Sequence, residues 1–241
     1  MMRQKIVVVQ EGRPLPSAAT APADTPLALG GGLSVERLLE AYRGGIFPWE
    51  LYQGFPVWWS PDPRFVLFPE ELRVPKSLER VIRSGRFEVT FNREFRAVME
   101  GCRDAERPGQ DGTWIAPEMI EAYCRLHEAG HALSVEVWRA GALVGGLYGV
   151  RIGRVFAGES MFALEADASK AGFATLVRKL RDEGCLLVDC QVYTEHLARF
   201  GAHEIPRREF LRLLGGAVAG ASASGAEFDV RAGCQSQEGA L

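Results

Sequence analysis

The 241 residues are 47% hydrophobic and 24% charged, with a formal net charge of -3; this is enough apolar mass for one large domain or a domain with a smaller companion, and it argues against a polybasic chain, although a local basic face remains compatible. The five cysteines are odd in number and include no Cys-x-x-Cys pair, which argues against a disulfide scaffold or a zinc ribbon. The apolar run Ile6–Val9 is too short for a signal peptide and no run is long enough for a membrane span, so a soluble, cytoplasmic protein is expected.

Residues 11–32 are rich in Pro, Ala, Thr and Gly and read as an irregular loop. A short helix follows, with Ser34 as N-cap, Leu38, Leu39 and Tyr42 as its apolar face, and Gly44-Gly45 as its stop. Three of the five tryptophans, Trp49, Trp58 and Trp59, then fall within eleven residues among prolines. Such a cluster suits either a small core under rigid loops or a stacking platform for a planar ligand. From Arg73 to Arg86, Arg73, Lys76, Arg80 and Arg83 recur at helical spacing against a single acid, Glu79. This is a solvated helix face or a phosphate-tracking stripe.

The second half has a regular rhythm. Pro117–Ala129 reads as an amphipathic helix closed by Gly130, and Leu133–Trp138, Leu143–Val150 and Val155–Phe162 as three antiparallel strands. A helix from about Ala168 to Glu183 follows, and then a strand at 187–193. A strand reached through a helical crossover pairs parallel as a rule. The expected fold class is therefore α+β, with a mixed sheet flanked by helices as in the acyl-N-acyltransferase (GNAT-like) architecture. Residues 215–241 are rich in Gly, Ala and Ser and are expected to form a disordered tail. His127-Glu128-Ala129-Gly130-His131 matches the zinc-protease pattern His-Glu-x-x-His. Gly130 ends the helix between the two histidines, so their rings need not converge, and no metal site is expected.

Several stretches together resemble one family. They are Leu39-Glu40-Ala41-Tyr42-Arg43-Gly44-Gly45-Ile46-Phe47-Pro48-Trp49, Trp58-Trp59-Ser60-Pro61-Asp62-Pro63-Arg64, Gly112-Thr113-Trp114-Ile115, Gly145-Gly146-Leu147-Tyr148-Gly149, Gly158-Glu159-Ser160-Met161-Phe162 and Asp189-Cys190-Gln191, followed by His196-Leu197 and Gly201-Ala202. Collinear over roughly 27–214, they resemble the leucyl/phenylalanyl-tRNA–protein transferases. The resemblance implies a bacterial, cytoplasmic enzyme that is expected to be monomeric. It would take Leu, Phe or Met from aminoacyl-tRNA, join it to the N-terminal Arg or Lys of a protein, and so mark that protein for degradation. It implies a small N-terminal domain, here over 1–66, and a larger acyl-N-acyltransferase-like domain, here over 67–214, and it implies no cofactor, no metal and no membrane partner. The alternative on the same architecture is an acetyl-CoA-dependent N-acetyltransferase, for which a phosphate-binding glycine loop entering a helix is missing: the near fit, Arg151-x-Gly153, sits in a hairpin.

The resemblance also implies a site. Asp189 and Gln191 would be catalytic. Strand alternation puts them on one face, with Cys190 on the other. Either Asp189 polarises Gln191, which draws on the incoming amine, or Asp189 holds the ammonium itself. Burying a carboxylate in such an apolar strand costs several kcal/mol unless it is paired. Glu159 would bind the amine or the acceptor's basic side chain, with Leu147, Gly158 and Met161 lining an apolar pocket for the transferred residue. The family often has Met where Leu147 stands, and Asn where Thr194 stands. Trp49, Trp114 and Tyr123 would surround the terminal adenosine of the tRNA, and Arg73, Lys76, Arg80 and Arg83 would follow its phosphates.

Overall fold

The computed structural model describes residues 6–105 and 113–224. The chain begins with β1 (Val7–Val9) and β2 (Ala28–Gly30), then α1 (Val35–Arg43) and the hairpin β3 (Phe47–Tyr52) and β4 (Phe55–Trp59). Ser34 caps α1 as its position requires, its hydroxyl accepting from the Arg37 amide. These strands form a small sheet in the order β1-β2-β4-β3.

The larger sheet draws on the rest of the chain: β5 (Arg64–Leu67), α2 (Lys76–Arg83), β6 (Glu88–Phe91), α3 (Phe95–Asp104), α4 (Pro117–Glu128), β7 (Ala132–Arg139), β8 (Ala142–Ile152), β9 (Val155–Ala163), α5 (Ala168–Asp182), β10 (Leu187–Gln191), α6 (Glu195–Ala198), β11 (His203–Ile205) and α7 (Arg207–Ser224). Its strand order is β11-β5-β10-β9-β8-β7-β6. The β7–β8–β9 meander is antiparallel, and β10 joins β9 parallel through α5, as the sequence pattern predicts. On its other side β10 pairs antiparallel with β5, a strand more than a hundred residues earlier.

One face of this sheet packs on α5, with Phe173, Leu176 and Val177 meeting Leu147, Val135 and Phe156. The other meets α3, α4 and the small sheet in a core that runs without interruption from Trp58 to Tyr123 and Tyr148. Since β5 belongs to the larger sheet, the chain passes from one sheet to the other within residues 60–63.

The glycine-rich C-terminal segment departs from expectation. α7 continues through Gly215 to Ser224, because Phe210, Leu214 and Ala217 bury a common face against Val66, Val155 and Leu187; the tail beyond Ser224 lies outside the described residues. Among the described residues no helix is long and apolar enough to cross a membrane. His127 does not turn toward His131: its ring stacks on Phe95 at 4.4 Å and its Nδ1 bonds the Ala132 carbonyl.

Candidate active site

The site is made where two parallel strands part. β9 and β10 pair only as far as Ala157 and Asp189, although both continue. Two bulges cause the parting. Against β8, Gly149 opposes Gly158 while Tyr148 opposes Ser160, so Glu159 is the extra residue of β9. Against β5, Val66 opposes Asp189 while Phe65 opposes Gln191, so Cys190 is the extra residue of β10. A bulge re-aims side chains and ends pairing. The split opens a pocket of about 380 Å³, a size suited to a small ligand. Its floor is apolar, with Leu147, Phe156, Met161 and Phe173, and Gly158, Glu159 and Gln191 line it too.

The β10 bulge overturns the simple alternation expected for this strand. Cys190 and Gln191 both line the pocket, whereas Asp189 faces the opposite side. There Arg64 grips it with two hydrogen bonds, Nε to Oδ1 at 2.8 Å and Nη2 to Oδ2 at 2.7 Å. The guanidinium lies between the rings of Phe47 and Phe210, at 4.9 and 4.4 Å from their centroids, and also donates to the Gly45 carbonyl. Both partners are almost fully buried. The cost of burying Asp189 is therefore met by a bidentate cation, and its carboxylate is not in the pocket to hold an ammonium. Asp189 acts on Gln191 through the backbone: Oδ1 accepts the Gln191 amide N–H at 3.0 Å. That bond fixes the amide leading into Gln191, whose backbone is left-handed at φ 65°, a conformation non-glycine residues adopt at a cost.

Gln191 then directs its side chain at Glu159, Nε2 donating to Oε1 at 2.7 Å. Tyr123 of α4 donates to the other oxygen at 3.2 Å, and its hydroxyl is joined in turn to that of Tyr42 from α1. Burial pushes the Glu159 carboxyl up to about 7, and the nearby Asp189 charge adds to the rise against the hydrogen bonds that oppose it. Burial likewise raises the phenols of Tyr42 and Tyr123, which stay protonated donors, and the Cys190 thiol, which stays neutral.

Of the remaining expected site residues, Tyr123 is fully buried, so its ring offers no face to a base. Its part is to orient Glu159. Trp49 packs on Phe47 and Trp59 and keeps some of its ring exposed; Trp114 is half-buried just before α4. Arg73, Lys76, Arg80 and Arg83 lie at or near the surface around α2, and Arg83 shares Glu79 with Arg178. Sequence reasoning assigned no role to Arg64 or Tyr42. The signal for Arg64 was present, a cation followed directly by Phe65, Val66 and Leu67 in a chain that also buries an acid. Tyr42 was hidden because its spacing is that of a core helix residue. Thr194 caps α6 through its hydroxyl, which accepts from the Leu197 amide, and it stands at the pocket rim.

The mixed sheet flanked by helices makes this an α+β protein, and the polar pair beside an apolar pocket at the split ends of two parallel strands gives it a candidate active site. The chain belongs to the leucyl/phenylalanyl-tRNA protein transferase family: the family profile matches residues 66–215 and that of its N-terminal domain residues 31–62. Proteins named leucyl/phenylalanyl-tRNA–protein transferase are similar over most of the chain. The one from Dechloromonas aromatica is 55% identical over 81% of this chain and 84% of that protein. The one from Anaeromyxobacter sp. strain Fw109-5 is 57% identical over 84% and 86%. Among solved structures, a GCN5-related N-acetyltransferase from Kribbella flavida aligns with TM-score 0.36 and 14% identity, over 68% of this chain and 58% of that one.

Proposed function

We propose that the protein transfers Leu, Phe or Met from the 3′ ester of aminoacyl-tRNA to the α-amine of a protein beginning with Arg or Lys, marking that protein for degradation. The observation that carries this reading is the Glu159–Gln191 pair at the rim of an apolar pocket. The donor side chain fills the pocket over Leu147, Gly158 and Met161. A pocket lined in this way separates substrates that differ by a methylene by only about 1–3 kcal/mol, so the preference among Leu, Met and Phe is graded.

The donor ester is already activated, and holding amine and ester together supplies most of the acceleration, roughly 7–11 kcal/mol. The amine nitrogen attacks the ester carbonyl, a C–N bond forms, the C–O bond to the ribose breaks, and the leaving ribose oxygen takes up a proton. Glu159 is the group in reach of that proton. With a carboxyl titrating at about 7, it is suited to take a proton from the amine and return it to the leaving oxygen near neutral pH. Gln191 holds Glu159 and orients the amine, and Asp189 positions Gln191. Trp49 and Trp114 supply faces for the terminal adenosine, where stacking is worth roughly 1–3 kcal/mol per base. Arg73, Lys76, Arg80 and Arg83 follow the acceptor-stem phosphates without reading sequence. The protein works as a monomer in the cytoplasm.

The test is incubation with labelled Leu-tRNA and an Arg-terminal protein, with acetyl-CoA as rival donor. Transfer of labelled Leu to the acceptor's N-terminus is the expected result. Acetylation without aminoacyl transfer would replace this reading with an N-acetyltransferase.

A further inference from the structure

Gln191, Phe65 and Glu204 lie side by side across three neighbouring strands. Gln191 pairs with Phe65, and Phe65 pairs with Glu204; residues directly opposed on adjacent strands point to the same face of the sheet. Gln191 lines the pocket. Phe65 is buried beneath this face, and the ring of Tyr193 leans on it edge-on at 5.2 Å. Tyr193 is nonetheless 58% exposed, and nothing in the transfer step above uses it. Glu204 is exposed on the edge strand β11, and no described residue pairs with its carboxylate. Two other exposed acids are already engaged, Glu195 with Arg199 at 2.6 Å and Glu71 with His203 at 3.6 Å.

Two inter-strand steps of about 4.8 Å place Glu204 about 10 Å from Gln191, with the exposed Tyr193 beside the path between them. We infer that Tyr193 and Glu204 form the subsite for the basic side chain of the acceptor's first residue. Its α-amine rests at Gln191 and Glu159, its aliphatic stem lies across Tyr193, and its cationic head meets Glu204. Only the longest side chains span that path. A ring followed by a carboxylate suits a flexible stem that ends in a charge. The unpaired carboxylate distinguishes Arg and Lys from neutral side chains of equal length. This subsite rests on the reading of the pocket as a transferase site.

The test uses acceptor peptides that differ only in the first residue, Arg, Lys or the neutral isostere citrulline, at saturating Leu-tRNA. Wild-type protein is expected to favour Arg and Lys over citrulline. Glu204→Gln is expected to raise KM for the Arg and Lys peptides about fivefold, the scale of an exposed ion pair, while KM for citrulline peptide and for Leu-tRNA stays put. Tyr193→Ala is expected to weaken Arg and citrulline peptides alike, and Tyr193→Phe neither. A Glu204→Gln variant that keeps the full wild-type preference for Arg over citrulline would overturn the subsite. If the wild-type protein transfers Leu to none of the peptides, the transferase reading fails and the subsite falls with it.

Discussion

Asp189 and Glu159 sit on opposite sides of the site and have different partners. Asp189 is locked to Arg64 on the far face of β10 and sets the backbone of Gln191. Removing it leaves a buried guanidinium without a counter-charge. Asp189→Ala is therefore expected to lower stability by about 3–5 kcal/mol as well as abolish transfer, and denaturant unfolding monitored by circular dichroism measures the first effect. A variant of unchanged stability would show that Arg64 finds another partner. In the proposed mechanism Glu159, which lines the pocket, sets the pH response. Its carboxyl is raised from 4.5 to about 7 in the folded protein, so the folded state holds this proton where the unfolded chain has lost it. Its contribution to stability is thus complete below pH 4.5 and is lost as pH rises to about 7. Activity moves the other way, because the base form appears as pH rises through about 7. Single-turnover rates with preloaded Leu-tRNA are expected to show a rising limb near that pH. The limb disappears in Glu159→Gln, along with about a hundredfold of the rate or more.

At the level of elements, the site depends on pieces of chain that are remote in sequence. α7 places Phe210 over the Arg64 guanidinium and packs Leu214 and Ala217 against the sheet. Truncation after Pro206 is expected to reduce stability by several kcal/mol, since burying each large apolar side chain is worth roughly 1.5–3 kcal/mol, and to lower transfer through loss of Arg64 support. Thermal unfolding of the truncated chain checks this, and an unchanged midpoint would make α7 dispensable. Gly45 connects the same parts. Its φ is 74°, its carbonyl accepts from Arg64 and Ser60, and a Cβ there would lie 2.5 Å from Leu211. Both backbone and space call for glycine at this turn.

For the whole molecule, charge placement matters more than its sum. A net charge of -3 coexists with a basic edge around α2, where Arg73, Lys76 and Arg80 have no carboxylate partner among the described residues. Reversing Lys76 and Arg80 to Glu is expected to weaken tRNA binding and to flatten its dependence on salt. The log–log slope should fall by about 0.7–0.9 for each phosphate no longer neutralised. Filter binding between roughly 50 and 200 mM salt reads both effects. An unchanged slope would leave this edge as a solvated helix face.

The meander, the crossover and the parallel β10 were legible in the sequence, because hydrophobic period and turn residues are local properties. So were several residues that line the pocket, among them Leu147, Gly158, Glu159, Met161 and Gln191, all of which fall in the collinear motifs. The shape of the site was not legible. Alternation assigns Asp189 and Gln191 to one face, but each bulge inserts a residue through pairing with a distant strand, and pairing is not written in local pattern. The same holds for Arg64 and Asp189, whose partnership exists only because β5 docks beside β10, and for Tyr123, whose aromatic character suits a base until burial closes its face. The α7 helix shows the opposite case: a segment whose propensity is weakened by Gly215 and Gly216 is held helical by the surface it covers. Motif and period were enough to single out the candidate residues. Which carboxylate faces the pocket was decided only in the folded chain, where Glu159 lines it and Asp189 is held by Arg64, because burial and pairing depend on contacts that cross the whole fold.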